Sequence, residues 1–404
     1  MSNIDNLIAD RMSLIKPSPT MAVSKLAAEL KAAGKDVIGL GAGEPDFDTP
    51  DHIKRAAIEA IKNGQTKYTA VDGTPKLKKA VSDKFQRDNN IKYNIDEIII
   101  SVGGKQVLFN ALLSSINPGD EVIIPSPYWV SYPDMVALAG GKPIIVEGKS
   151  KNNFKIMPED IKDKISTKTK WIIINSPSNP TGSSYSKKEL KNIGDLLINY
   201  KNIFIMSDDI YEKIIYDDNK FYTIAEVVPE LKDRILTVNG VSKAYAMTGW
   251  RIGYAGGPKT LISAMAKLQS QSTSNPSSIS QAAALAALEG PEDFLSERNA
   301  QFKIRRNMVV EKLNKCKGIH CLLPTGAFYV YPSCKGLIGK QTPAGQIINN
   351  SIDFSSYLLE EVGVAVVPGS AFGADFFFRI SYATSDSILV EACNRIQKAC
   401  DQLI

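Results

Sequence analysis

Residues 171–182 read WIIINSPSNPTG, residues 202–213 read NIFIMSDDIYEK, and residues 235–251 read ILTVNGVSKAYAMTGWR. Each opens on a short run of mostly β-branched apolar residues and closes on polar groups: Asn179, then Asp208 with Tyr211, then Ser242 with Lys243. Near-continuous apolar runs between amphipathic stretches mark strands buried on both faces, hence parallel sheet. Working outward, 96–102 (DEIIISV), 121–124, 142–146 and 252–255 read as further strands, with helices at 106–116 and 186–200. The expected fold class is therefore α/β, a mostly parallel seven-stranded sheet flanked by helices. The ends differ. Helices at 296–316, 353–362 and 387–403 surround short strands at 327–331, 364–367 and 377–381. This predicts a large domain over 51–300, an N-terminal arm and part of a small α+β domain in 1–50, and the rest of that small domain in 301–404.

Composition removes several kinds of function. The 404 residues are 44% hydrophobic and 23% charged, too apolar for wholesale disorder. The net charge is only +5, and basic residues are interleaved with acids, as in KNNFKIMPEDIKDKISTKTK, so no nucleic-acid partner is expected. No apolar run approaches a membrane span, and the start MSNIDNLIAD lacks the apolar core of a signal peptide. Neither a membrane nor secretion is expected. Five cysteines, odd in number and never in CxxC spacing, fit reduced thiols in a cytoplasm. The two histidines, His52 and His320, sit in no motif, so His-based triads and metal sites are poor candidates. Chemistry must run on Lys, Asp, Tyr, Arg or a borrowed cofactor.

In an open parallel sheet, ligands bind outside the carboxyl ends of the strands. Those ends carry Gly103-Gly104-Lys105, the 176–182 loop with Asn179, Asp208 and Tyr211, and Ser242-Lys243 followed by Arg251. Backbone amides, an amide side chain, a carboxylate with a phenol, and a lysine suit a flat, anionic, nitrogenous ligand. Singly, each has a plainer reading as a helix cap, a turn or a surface charge. Lys243 stands apart because it follows a buried strand within a weakly charged stretch. A desolvated lysine has a lowered pKa and attacks aldehydes.

Taken together, GVSKAYAMTGWRIG (240–253) resembles the pyridoxal-phosphate attachment site of class I aminotransferases. The resemblance runs along the whole chain through LGAGEPDFDTP, KYTAVDGTPKL, SVGGKQVLFN, PSPYWVSYP, NSPSNPTG, MSDDIYE, TGAFYV and FRISYATS, in the order of the aspartate aminotransferase branch, aspartate/prephenate enzymes included. It implies fold type I of the pyridoxal-phosphate enzymes, pyridoxal 5'-phosphate as cofactor, and a homodimer with shared sites. By the same resemblance Lys243 forms the Schiff base and moves the proton, while Asp208 pairs with the ring nitrogen. Tyr211 and Asn179 bond the ring oxygen, and Trp129 stacks on the ring. Gly104, Lys105, Ser242 and Arg251 hold the phosphate, joined by Tyr68 from a partner subunit. Arg379 grips the substrate's α-carboxylate, with Gly43 offering backbone to the same group. One departure is Asp209, where the branch often has Glu.

The implied reaction is amino transfer between aspartate or glutamate and 2-oxoglutarate or oxaloacetate by a ping-pong route, with prephenate as a second acceptor. Lys105 and Lys16 are the candidate cations for a distal carboxylate. Alternatives are an aminotransferase for aromatic or neutral amino acids, and a lyase on the same fold. A regulator would need an added DNA-binding segment, for which no room is expected before residue 15. A nicotinamide dehydrogenase is suggested only by Gly39-Leu-Gly41-Ala-Gly43, which is GxGxG rather than GxGxxG and runs into a proline-rich turn.

Overall fold

The apolar runs become strands, and their alternate residues split between two cores. In the computed structural model, which describes residues 7–404, Ile172 and Ile174 pack into one core and Trp171 and Ile173 into another on the opposite face. Residues 1–6 of the expected N-terminal arm lie outside the described residues. Each fully buried isoleucine contributes about 1.5–3 kcal/mol, which is why the run 171–174 holds no polar residue beyond the Trp171 ring nitrogen.

The strands are, in chain order, β1 (Ile38–Gly39), β2 (Ile98–Ser101), β3 (Glu121–Ser126), β4 (Lys142–Glu147), β5 (Thr169–Asn175) and β6 (Phe204–Asp208). Then come β7 (Ile235–Gly240), β8 (Gly253–Gly256), β9 (Tyr329–Val330), β10 (Val364–Ala365), β11 (Val367–Pro368) and β12 (Phe378–Ser381). Seven form the main sheet in the order β2-β8-β7-β6-β5-β3-β4, with β8 antiparallel to both neighbours and the other pairs parallel. This is the mostly parallel seven-stranded sheet anticipated above. Strand order reverses between β3 and β5, so a crevice opens at their carboxyl ends.

Helices cover both faces. They are α1 (Pro19–Ala32), α2 (Asp51–Lys62), α3 (Pro75–Asn89), α4 (Gly104–Ser115), α5 (Ser131–Leu138), α6 (Pro158–Lys162) and α7 (Lys187–Ile198). After them come α8 (Ile224–Val227), α9 (Lys259–Ser270), α10 (Ser278–Glu289), α11 (Phe294–Leu313), α12 (Ser351–Val362) and α13 (Asp386–Asp401). A third core gathers β9, β10, β12, α11, α12 and α13, and all five cysteines there are buried and unpaired.

Two expectations for this region change. The strand expected over 364–367 is divided: Val364 pairs in parallel with Ile38 of β1, whereas Val367 pairs antiparallel with Arg379 of β12. The strand expected over 327–331 shrinks to Tyr329–Val330, because Ala327 sits in the left-handed region at φ 56° and cannot extend the ladder. Gly39–Gly43 leads into no helix before Asp51, and Gly41 instead offers its carbonyl to Arg379. That is not a dinucleotide-binding turn.

Candidate active site

The carboxyl ends of β5, β6 and β7 converge on a cavity of about 530 Å³. Its wall holds Gly43, Lys105, Trp129, Asn179 and Asp208 together with Tyr211, Ser242, Lys243, Arg251 and Arg379. Gly41 and Arg379, 338 positions apart, thus meet in one place. Gly104 is the first residue of α4, immediately beside the wall. Tyr68 and Lys16 are not on it: Tyr68 is 91% exposed and lines a separate surface cavity, and Lys16 is exposed just before α1, where its charge acts on Asp134.

Asp208 closes β6 with its carboxylate buried and accepting a hydrogen bond from the Tyr132 hydroxyl at 2.5 Å. Burial pushes its pKa up to about 6, against the pull of the Tyr132 hydroxyl, the Ile210 N–H and the Lys243 charge. The carboxylate is poised for a cationic partner. Lys243 donates to the carbonyl of Gly43. Burial, then the Arg379 charge, bring its pKa down to about 8, while Glu44 and Asp208 oppose. An amine so tuned is partly neutral, and so nucleophilic, near neutral pH.

One end of the cavity is a cradle for a polyanion. Gly103 precedes α4 at φ +80°, and a Cβ placed there would fall 2.3 Å from Nη2 of Arg251. A Cβ on Gly253 would strike the amide nitrogen of Gly104 at 2.2 Å. Only glycine lets β8, the start of α4 and Arg251 crowd together, leaving free amides at a helix N-terminus beside Ser242.

At the other end, Arg379 on β12 is 2% exposed and held between the rings of Tyr329 and Phe372, 4.6 and 5.1 Å from its Cζ. Nη1 donates to Asn179 Oδ1 at 2.8 Å and Nη2 to the Gly41 carbonyl at 2.6 Å, while Nε has no partner. A buried guanidinium served only by neutral acceptors calls for a carboxylate ligand. Lys105 Nζ lies 4.8 Å over the Trp129 ring, its pKa lowered by partial burial and then by Arg251.

Several lining residues escaped the sequence reading: Tyr132, Asn175, Tyr329, Glu44, Ile210 and Thr248. All six lie inside quoted motifs, so their segments were legible although their directions were not. Asn175 is the clearest omission. It is the last residue of β5, donating to the Asp208 carbonyl at 2.8 Å and accepting from the Asn179 N–H at 2.9 Å. A polar residue ending an otherwise apolar strand was the available signal.

Four cations, Lys105, Lys243, Arg251 and Arg379, face two carboxylates, Glu44 and Asp208, around a slot walled by the Trp129 indole and Ile210. This site takes a flat anion with a polyanionic arm at one end and a carboxylate at the other, beside a nucleophilic amine. The family profile of the class I and II aminotransferases matches residues 35–396, and the chain belongs to that family. It is 58% identical to the "Probable aspartate/prephenate aminotransferase" of Rickettsia felis, over 98% of this chain and 97% of that one. The crystal structure of the aspartate aminotransferase from Rhizobium meliloti superposes with a TM-score of 0.96 at 54% identity, covering 98% of this chain and 99% of that one. The aspartate aminotransferase of Thermus thermophilus with maleate gives 0.91 at 41% identity, covering 97% and 99%.

The protein is thus an aminotransferase of fold type I with pyridoxal 5'-phosphate as its cofactor, acting on amino and 2-oxo acids by the family's ping-pong route. The residues fit that group: the glycine cradle matches a phosphate, the buried carboxylate a protonated ring nitrogen, and the lysine of lowered pKa an aldehyde. Among the described residues no helix is long and apolar enough to cross a membrane.

Proposed function

We propose that this enzyme exchanges amino groups between aspartate or glutamate and the corresponding 2-oxo acids, oxaloacetate and 2-oxoglutarate, and that prephenate is a second acceptor. The observation that carries the dicarboxylate reading is the pair of uncompensated cations across the cavity. Arg379 lacks a carboxylate, and Lys105 rests on an aromatic face with no acidic partner among the described residues. An α-carboxylate on the arginine fork leaves the lysine for a distal carboxylate, and a point charge on a flexible stem accepts several distances. The aspartate/prephenate aminotransferase among the relatives, and the Thermus thermophilus aspartate aminotransferase with maleate, support the same reading.

Bound pyridoxal phosphate supplies an aldehyde that condenses with amines and a ring that accepts the electron pair left when the Cα–H bond breaks. Lys243 would hold that aldehyde, and its Nζ, once free, would be the group that carries the proton from the substrate Cα. The Gly43 carbonyl keeps Nζ aimed. Asp208 would keep the ring nitrogen protonated, and the Tyr132 hydroxyl fixes that carboxylate. Asn179 and Tyr211 would hydrogen-bond the ring oxygen, and Trp129 would cover the ring face. Ser242, Arg251 and the amides of Gly104 and Lys105 would hold the phosphate, while Arg379 would orient the substrate so that one Cα–H bond faces Lys243.

The same reading divides the chain into a large domain over 51–300 and a small one from 1–50 and 301–404, so that Arg379 and Lys243 lie on different domains and closure brings them together. It also makes the enzyme a twofold dimer. Tyr68, fully displayed and away from its own cavity, is available to a partner's phosphate. Five buried free thiols suit a cytoplasmic location.

The test is a substrate panel of aspartate, glutamate, alanine, phenylalanine and prephenate on wild type, Lys105→Ala and Lys16→Ala. Aspartate should lead in wild type, and Lys105→Ala should erode that lead while sparing alanine. Alanine or phenylalanine ahead of aspartate would overturn the dicarboxylate assignment. Untouched prephenate turnover in Lys16→Ala would deny that exposed lysine a part in prephenate binding.

A further inference from the structure

Beyond their paired portions, β6 and β7 run on into the two segments that carry Tyr211 and Lys243. The last backbone tie between them is the Asp209 N–H donating to the Val238 carbonyl at 2.9 Å. Among the described residues no backbone hydrogen bond joins 210–213 to 241–247. A side chain joins them instead. Glu292 lies in the short connection between α10 and α11, outside the cavity wall and outside every motif quoted above. Its Oε2 accepts from Lys213 Nζ at 2.7 Å and its Oε1 from the Tyr245 hydroxyl at 2.5 Å. Lys213 is two residues beyond Tyr211, and Tyr245 is two residues beyond Lys243. One carboxylate therefore holds the same relative position on both segments, with one oxygen to each.

The bridge is itself anchored. Arg87 of α3 donates to the Leu288 carbonyl near the end of α10 at 3.2 Å, which fastens the connection that carries Glu292. Lys213 also pairs with Asp88 at 2.9 Å, and its carbonyl accepts from Asn299 of α11 at 2.7 Å. Next to it, Glu212 is paired with Lys84 and accepts from Asn89 at 2.9 Å. Three cations, Lys84, Arg87 and Lys213, thus face three carboxylates, Asp88, Glu212 and Glu292, and the cluster carries no net charge. Burial pulls the Lys213 pKa down, but Glu292 and Asp88 outweigh it and leave the pKa raised, so Lys213 stays a cation. Tyr245 is 2% exposed, and its hydroxyl has Glu292 as its acceptor. A satisfied polar network of this kind rigidifies what it joins.

We infer that Glu292 is a positioning residue, a two-armed carboxylate that fixes the Tyr211 segment against the Lys243 segment from outside the cavity. The inference rests on the reading of those two residues given above, in which the phenol bonds the ring oxygen and the amine holds the aldehyde. Segments that part misplace both groups on one bound ring, a loss in the chemical step rather than in substrate binding.

The test compares holoenzymes of wild type, Glu292→Gln, Glu292→Ala, Tyr245→Phe and Lys243→Ala, by steady-state kinetics and by the pH midpoint of the cofactor's visible absorbance. Glu292→Ala and Tyr245→Phe should each lower kcat by roughly tenfold or more with the aspartate KM unchanged. Each should also raise the absorbance midpoint by about half a pH unit or more, because an oxyanion that loses its hydrogen-bond donor keeps a nearby proton to higher pH. Glu292→Gln presents an oxygen to Lys213 and an N–H to the Tyr245 oxygen, so kcat should return to within about threefold of wild type and the midpoint with it. If Glu292→Gln is as impaired as Glu292→Ala, the charge matters and the bridge does not, and the proposal fails. An unmoved midpoint in Glu292→Ala would overturn it as well, leaving Glu292 a structural residue only. Wild-type kcat and midpoint in Tyr245→Phe would remove the arm to Lys243, even where Glu292→Ala does not fold. A wild-type midpoint retained in Lys243→Ala would instead sink the reading of Lys243, whatever the Glu292 variants do.

Discussion

Arg379 and Asn179, 200 positions apart in the chain, are joined by a 2.8 Å hydrogen bond from Nη1 to Oδ1. The Asn179 N–H is in turn held by Asn175, and Asn175 by the backbone of Asp208. One line of polar contacts therefore runs from the buried arginine to the strand that ends in the buried carboxylate. An arginine without a carboxylate of its own is aimed by neutral groups and left for a ligand. Truncating one member of a buried charge pair costs about 2–5 kcal/mol. Arg379→Ala should thus lower kcat/KM for every amino acid by roughly 30- to 5,000-fold. Steady-state kinetics checks the loss, and an unchanged cofactor spectrum checks that the damage is confined to the substrate end.

Asn175→Ala removes the middle of that line. The Asn179 N–H and the Asp208 carbonyl lose their side-chain partner, and a buried group left unsatisfied costs about 1–3 kcal/mol. The expected outcome is a roughly 5- to 150-fold lower kcat/KM, with thermal stability reduced as well. Wild-type kinetics in this variant would show that the line of contacts is not needed.

Lys243 gives a pH dependence with a definite sign. Its folded pKa of about 8 lies below the ordinary lysine value, so between the two the unfolded chain binds more protons and stability rises with pH. The apoprotein has this group's full contribution above the ordinary value and loses it as pH falls through 8. Lys243→Met should therefore raise the melting temperature of the apoprotein most below pH 8, with the advantage shrinking towards pH 10.5. Labelling of wild-type apoprotein with an amine reagent, followed by mass spectrometry, should show Lys243 reacting with a midpoint near pH 8, ahead of exposed lysines.

The glycine cradle around Gly104 and Arg251 is closely packed. A methyl at Gly253 would sit 2.2 Å from the Gly104 nitrogen and must push β8 away from the start of α4. Overpacking of this kind costs about 1–3 kcal/mol. Gly253→Ala should weaken cofactor retention on dialysis more than it raises KM for aspartate. Equal retention by wild type and variant would show that the close approach can relax without loss.

Much of this was legible in the chain. The apolar strands of the main sheet were, because a strand buried on both faces admits few polar residues, and the polar groups at its carboxyl end mark where burial stops. Asp208, Ser242 and Lys243 were readable for that reason. The small domain was less so. Its strands are two to four residues long, and 364–367 feeds two different sheets, a division no periodicity records. Asn175, Tyr132 and Tyr329 could be placed on segments, but only the pleat and packing decide which way each side chain points.

By itself, then, the sequence determined the doubly covered sheet, the set of polar strand ends, and an amine in apolar company, because local pattern and burial dictate these. Tertiary structure alone decided that Arg379 reaches the Asp208 strand through Asn179 and Asn175. It alone left Lys16 and Tyr68 outside the cavity, and set Glu292 between Lys213 and Tyr245. Those outcomes depend on register, on the crossing of distant elements and on which charges share a low-dielectric space, quantities that arise only when the chain has closed on itself.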